Sequence, residues 1–536
     1  MLGLDPAIAL AARAYPKDDR ERRWLAHQVR QFPAHFGEPL VERFVQRTNA
    51  QGKYAAEQFL WDLRGTWTPK NLSLAASDDE LCAFADGLAE RFRMAISPSP
   101  LWNLVYKELS SHARAAGIAP PAVRGSVSYR GAVARLRDPG WLRRALRRSV
   151  CRAVENAARA LGFVGARRSR FVSQESLDRR RGQLNRLAKF RRDWEAVSEA
   201  GDILGLDALA ARSLANPSVR RAEFLARVFG FEKLARDLDH VAMFYTITCP
   251  GRVHAVLSGS GELNPQFDGT SPAAAQDYLC RLWGRARAKL QRFDVRPYGF
   301  RIAEPHHDGT PHWHVLLFVP RSQEAMLTAT LRSYALAEDG HEPGALEHRF
   351  KAQAIDYAKG TAVAYLAKYI SKNLDAYGVG ELDGMSGREI AMRASAWAST
   401  WGIRQFQQIG GPPVTIWREL RRVGGAPAGL LAEAFAAADK GNWCEFVRIT
   451  TQSLTHRRRQ EPIKTLRVVP LGLNAYTEPA LPRVVGVQAD GQIVVTRQKE
   501  WTLRRRAESS ATLEASRWGK SAARVPPSSS PLEFCQ

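Results

Sequence analysis

The segment 296–319 constrains the fold more than any other. RPYGFRIAE (296–304) and HWHVLLFV (312–319) are strand-like runs, and the intervening PHHDGTP carries Asp308-Gly309 and Pro311, strong turn signals. Together they predict an antiparallel hairpin with a seven-residue loop. VAMFYTITCP (241–250), ended by Pro250-Gly251, reads as a further strand. Helices are expected around these strands. Asn216 supplies an N-cap and Pro217 a first-turn proline for one of them. Ser271-Pro272 opens another, with Tyr278, Leu279, Leu282, Trp283, Ala286, Leu290 and Phe293 on one face and Arg281, Arg285, Lys289 and Arg292 recurring beside it. A helix over about 323–338, a polar loop at 339–347 and a long helical pattern from about 350 to 375 follow. The chain before 241 is rich in Ala, Leu and Arg and reads as mainly helical. The expected class is α+β.

At 536 residues the chain is too long for one ordinary core. Shifts in pattern predict a helical N-terminal region (1–125), a basic helical region (126–240), a strand-and-helix domain (241–425), an accessory region (426–500) and a tail (501–536). The tail is Ser/Pro-rich and low in apolar residues, so it is expected to be disordered. No apolar run approaches the roughly 18 residues that a membrane span needs. Asp5 and the charged KDDRERR (17–23) are the reverse of a signal peptide. Six scattered cysteines show no CxxC, so a reducing cytoplasm is the simplest home. Seventy-eight Lys and Arg against 54 Asp and Glu give a net charge of +24. Between Arg130 and Arg192 stand 19 basic and 4 acidic residues. Such a run is either a solvated helical face or a polyanion site, where each neutralised phosphate releases condensed counterions. The size of the excess favours nucleic acid. Aromatics are sparse in the run, which points to phosphate contact over base stacking, with Arg143, Arg144, Arg147 and Arg148 as expected contacts.

His312 and His314 lie two apart in a strand, so both side chains point to one face and two imidazoles can share a metal ion. An HxH alone is weak evidence. Glu304 strengthens it, because the hairpin brings that carboxylate opposite the imidazoles and leaves coordination positions open. The set suits Mg²⁺ or Mn²⁺ acting on phosphate, and could also hold zinc or non-haem iron. His306 and His307 compete as ligands on spacing alone. About 50 residues on, YAKGTAVAYLAKYISKNL (357–374) places Tyr365 and Tyr369 one helical turn apart, with Lys368 and Lys372 on the same side and away from the stripe of Val363, Leu366, Ile370 and Leu374. Neutral tyrosine is a poor nucleophile, and nearby ammonium groups favour the phenolate. Attack on phosphorus would exchange one phosphoester for another without a nucleotide cofactor.

EPHHDGTPHWHVLLF together with AYLAKYISKN resembles the replication gene A protein family of tailed bacteriophages and prophages, members of the HUH (His-hydrophobic-His) endonucleases. FYTITCP (244–250), His312-Trp313-His314 and Tyr365 through Lys372 match the three motifs of that superfamily, the last in its two-tyrosine form. The resemblance covers roughly 130–425. It implies a central antiparallel sheet flanked by helices, with His312, His314 and Glu304 on a divalent metal and the tyrosine helix alongside. It also implies rolling-circle initiation. One tyrosine nicks single-stranded or supercoiled origin DNA and keeps the 5′ phosphate, leaving a 3′ hydroxyl primer, and the other cleaves the regenerated junction so that the ends are rejoined. Lys368 and Lys372 are placed near the scissile phosphate. A plasmid mobilisation relaxase would use the same chemistry, but usually carries three histidines and an N-terminal nucleophile. A cupin-type oxygenase leaves the tyrosines, lysines and charge without a role, and a non-catalytic origin-binding protein leaves the tyrosine–histidine set unexplained. The lone GKS (519–521) has Glu514 where a P-loop needs glycine, so unwinding and primer extension are expected from a host helicase and polymerase.

Overall fold

A computed structural model describes residues 6–15, 18–64, 72–95, 101–381, 384–425, 427–451 and 462–506. The chain is α+β and falls into two compact units. The first takes in residues 1–176 with 255–269 and 471–480; the second takes in 177–254, 270–470 and 481 onward. Within the described residues no helix is long and apolar enough to cross a membrane.

The first unit is helical. Its helices include α1 (Gly37–Gln51), α2 (Asp78–Met94) and α3 (Pro139–Ala160). In α2 a capping box joins Ser77 and Glu80, satisfying two backbone donors that the first turn leaves open. Asp138 caps α3 through the Gly140 amide at 2.8 Å, with Pro139 in the first turn. Leu142, Leu146, Val150 and Val154 recur every four residues and are fully buried, which sets the inner face of α3 and leaves the arginines between them facing outward.

The second unit holds a five-stranded antiparallel sheet. Its strands are β1 (His240–Ile247), β2 (Tyr298–Pro305), β3 (Pro311–Pro320), β4 (Phe350–Ala354) and β5 (Phe406–Ile409), in the order β4-β1-β3-β2-β5. Flanking helices are α4 (Pro217–Asp237), α5 (Pro272–Arg292), α6 (Glu324–Ala335) and α7 (Ala362–Leu374). β3 is central and buried almost throughout, which its near-continuous apolar run allows once both faces are covered. Alternation along β3 sorts the side chains. Leu316 and Phe318 join Phe224 and Phe231 of α4 and Leu366 and Ile370 of α7 in one core, so His312 and His314 stand on the α7 face. Trp313 points the other way and donates its indole N–H to Gln276 of α5 at 3.0 Å.

The hairpin is as expected, with its loop drawn in to five residues (306–310). The His306 amide donates to the Thr310 carbonyl at 2.8 Å, Gly309 takes φ 82°, and the Asp308 carboxylate accepts from the Thr310 amide at 3.0 Å. The helix expected over 350–375 is shorter. Residues Phe350–Ala354 are an edge strand pairing Phe350 with Ile247 and Ala354 with Met243, and α7 starts only at Ala362 behind the N-cap Thr361. Local propensity in FKAQA is weak, and pairing with β1 overrides it. Two short strands, Trp194–Ser198 and Ile203–Gly205, interrupt the helical stretch before 240, and the first also pairs with Trp501–Arg505. The segment read as a tail therefore contributes a strand at its beginning; from 507 it lies outside the described residues.

Gly299 in β2 takes φ 151°, and a Cβ there would lie 2.0 Å from the Leu316 carbonyl oxygen across the ladder. Gly299→Ala is expected to lower stability by about 3 kcal/mol, because neither backbone can give way inside a paired sheet. A shift in the urea midpoint with unchanged slope is the check.

Candidate metal and tyrosine site

The β2–β3 register sets Glu304 directly opposite His312 and Ile302 opposite His314. The three ligating groups converge: Nε2 of His312 is 3.1 Å from Nε2 of His314, and Glu304 Oε2 is 3.6 Å from His314 Nε2 and 4.0 Å from His312 Nε2. A point equidistant from these atoms lies roughly 2.1 Å from each, the usual distance from a nitrogen or oxygen donor to a small divalent cation. The residues fit a divalent metal. Among the described residues this is the one His/Cys/Asp/Glu group so arranged. His306 and His307 fall outside it; the His306 ring lies against His312 with centroids 4.1 Å apart and supports it.

Burial governs the charge state. It pushes the His314 imidazole down to about 3, aided by the nearby Lys372, and His306 to about 3, aided by His254. His312 is lowered well below its ordinary value, first by burial and then by His306 and His314. All three are neutral at neutral pH, as a metal ligand must be. Burial raises Glu304, opposed by Lys372 and Asn373. Thr246 on β1 bonds His314 Nδ1 at 3.1 Å, which orients the ring with Nε2 inward.

A pH dependence follows. An unfolded histidine takes a proton near pH 6.5 while His314 in the fold refuses one until about 3, so in this window the unfolded state binds more protons and stability falls as pH falls. Glu304, raised in the fold, acts with the opposite sign but is one group against three. Metal-free protein is expected to be less stable to urea at pH 5 than at pH 7, with His314 alone contributing about 2 kcal/mol of the difference.

α7 carries the tyrosines over this cluster. The Tyr369 ring lies on His314 with centroids 4.0 Å apart and on Phe244 at 5.6 Å; Tyr365 reaches Phe244 at 6.3 Å. Leu366 and Ile370 are fully buried on the opposite side of the helix, as the spacing predicts. The lysines divide. Lys368 is exposed, and Lys372 Nζ stands 3.5 Å from Glu304 Oε2, committed to the carboxylate. The expectation that ammonium groups favour the phenolate is not met at Tyr369, whose hydroxyl is raised by burial and then by Glu304.

Asn373, one turn beyond Tyr369, was not singled out from sequence. It is buried, donates to Glu304 Oε1 and to the Tyr369 carbonyl, and accepts from Gln405 at 3.0 Å. Its spacing in the Tyr365/Tyr369 stripe was the available signal. In the other unit, the arginines of α3 do not form one set. Arg147 makes a two-pronged pair with Asp78 at 2.7 Å on each arm, and Arg144 stands 4.0 Å from Asp138. Arg143 and Arg148 have no ion-pair partner among the described residues, and Arg144 and Arg148 are exposed.

Fold and site together define an α+β protein with a candidate three-ligand metal centre faced by a tyrosine-bearing helix. The family model described as bacteriophage replication gene A protein matches residues 85–377, which include all three candidate ligands and both tyrosines. The chain belongs to this family. It is 39% identical to the replication gene A protein of Escherichia phage 186 over 69% of its own length and 56% of that protein's. It is 36% identical to the probable replication protein of Pseudoalteromonas phage PM2 over 71% and 60%, and 39% identical to a probable replication endonuclease from a prophage-like region of Salmonella typhi over 56% and 38%. The chain thus spans about half the length of the curated relatives it matches. No solved structure matches it.

Proposed function

We propose that the protein initiates rolling-circle DNA replication by nicking one strand of an origin through tyrosine transesterification. The observation that carries this is the Tyr369 ring seated on His314, a member of the candidate metal triad. The names of its relatives, replication proteins and replication endonucleases of phages and prophages, support the same reading. Bound by Glu304, His312 and His314, Mg²⁺ or Mn²⁺ would supply Lewis-acid polarisation of a phosphate oxygen. The tyrosine hydroxyl gives up its proton and its oxygen attacks phosphorus. The bond from phosphorus to the 3′ oxygen breaks, and that oxygen takes a proton to become the 3′ hydroxyl. The product is a 5′-phosphotyrosine, and attack by a 3′ hydroxyl reverses the step to rejoin strands. Exposed Lys368, one residue before Tyr369, would meet substrate phosphate, while Lys372, 3.5 Å from Glu304, opposes the rise that burial imposes on that carboxylate. Asn373 ties Glu304 to the backbone of the tyrosine helix, so ligand and nucleophile keep one geometry. Outward-facing Arg143, Arg144 and Arg148 contribute phosphate contacts, and a host helicase and polymerase would act on the nicked product in the bacterial cytoplasm.

The test is cleavage of labelled single-stranded oligonucleotides tiled across the DNA around the gene, with Mg²⁺, Mn²⁺ or EDTA. A metal-dependent covalent protein–DNA adduct supports the proposal. Binding of the true origin without any adduct would reduce the protein to an origin-binding one.

A further inference from the structure

α1 lies before the stretch 85–377 that matches the family, and a basic groove runs along it. One end is a cavity of about 350 Å³ lined by Glu38, Glu42, Arg43, Gln46, Leu161 and Arg168. A second cavity of about 270 Å³ shares Arg43 and Gln46 with the first and continues to Arg47, Gln51 and Phe59. From Glu38 to Gln51 the helix rises roughly 20 Å, and Arg43 and Arg47 are separated by about 6 Å of that rise, the scale of neighbouring phosphates on one strand.

Arg168 arrives from a different place in the chain. It sits in the loop after α3, where the Gly165 amide donates to the Ser169 carbonyl at 3.0 Å and the Arg168 amide to the Gly165 carbonyl at 3.2 Å. Among the described residues no carboxylate lies within ion-pair distance of Arg43, Arg47 or Arg168. The Arg43 guanidinium reaches only the Gln46 amide oxygen, at 3.5 Å. Glu38 is engaged by Arg13 at 2.8 Å, which leaves Glu42 as the one lining carboxylate that offsets the three cations. Burial first, then Arg47 and Arg168, push Arg43 below its ordinary value, so the neighbouring cations add to an effect that burial leads. Arg47 lies over the Phe59 ring at 4.7 Å, so the one aromatic face in the groove is covered and not open to a base.

We propose that this groove of the helical unit binds the phosphodiester backbone of DNA without reading its sequence. Three clustered guanidiniums against one free lining carboxylate, none of them ion-paired among the described residues, recognise phosphate, and a groove lacking an open stacking surface grips backbone and not bases. The inference rests on the reading that DNA is the substrate, and deepens it by naming a contact surface on α1, outside the basic run 130–192 apart from Arg168.

The test uses the full chain and a 30-nucleotide oligonucleotide of random sequence, single-stranded and as duplex, at several salt concentrations. Arg47 and Arg168 are exposed, so the double variant R47Q/R168Q removes two charges without opening a core. Its affinity is expected to fall about tenfold at moderate salt. The slope of log affinity against log salt is expected to shrink by about 1.4 on single-stranded DNA, or by about 1.8 if the groove takes duplex. The lysine counterpart R47K/R168K is expected to keep the wild-type slope, which separates lost charge from disturbed folding. Wild-type affinity and slope in R47Q/R168Q would overturn the groove while leaving the DNA reading intact. Wild-type protein that neither binds DNA nor forms an adduct with origin DNA would overturn the reading itself, and the groove with it.

Discussion

The double variant Tyr365→Phe, Tyr369→Phe is expected to lose origin-strand cleavage by at least about 10⁴-fold, because it removes both proposed nucleophiles. The single variants should be unequal. Tyr369 rests on His314 at 4.0 Å between centroids, whereas the nearest ring contact of Tyr365 is Phe244 at 6.3 Å. First-strand cleavage is therefore expected to fall about 100-fold in Tyr369→Phe and by less than about tenfold in Tyr365→Phe. Cleavage of a second junction by protein already carrying an adduct, which needs the other tyrosine, should fail in both, while a 3′-hydroxyl acceptor strand should still be joined to the adduct. The measurement is adduct formation on a denaturing gel with a labelled origin oligonucleotide, followed by addition of an acceptor strand. Equal loss in the two single variants at the first step would show that the tyrosines are interchangeable despite their different surroundings.

His314→Ala is the second large effect. It removes one of three ligating atoms and the surface on which Tyr369 lies. Mn²⁺ affinity, followed by paramagnetic resonance, is expected to fall more than about 100-fold, since even partners behind the ligands cost 10- to 100-fold when lost. Cleavage should drop by about 10³-fold or more at any usable metal concentration. EDTA should produce the same loss in wild-type protein, reversed by adding Mg²⁺ or Mn²⁺. Trp313→Phe separates site from scaffold. That side chain points to the opposite face of β3 and bonds Gln276, so the substitution should cost stability and leave metal affinity near wild type. If Trp313→Phe weakened Mn²⁺ binding as much as His314→Ala, the cluster would be a packing feature and not a metal site.

Arginines illustrate a limit of reasoning from charge. Of the six in α3, Arg143, Arg144, Arg147 and Arg148 look alike in sequence, yet Arg147 is spent on Asp78 of a helix some seventy residues earlier. Which cation is free is decided by which carboxylates the fold brings near, and that depends on contacts between distant segments. The groove along α1 shows the converse, since Arg43, Arg47 and Arg168 form a cluster only because a loop more than a hundred residues on returns to the helix.

What the sequence by itself determined is local and periodic. Strand alternation puts His312 and His314 on one face whatever surrounds them, turn chemistry joins the two hairpin strands and sets Glu304 opposite, and helical spacing places Tyr365 and Tyr369 together. These rules act within a few residues, so they survive any tertiary arrangement. Only the tertiary structure decided that Phe350–Ala354 is an edge strand, since weak local propensity yields to pairing with β1. It alone decided that Lys372 serves Glu304 and that Asn373 links that carboxylate to the tyrosine helix. It also raised Tyr369 where charge counting along one helix had lowered it. Burial and through-space partners set these states, and both are properties of the packed molecule: a carboxylate contributed by one strand changes the chemistry of a helix sixty residues away.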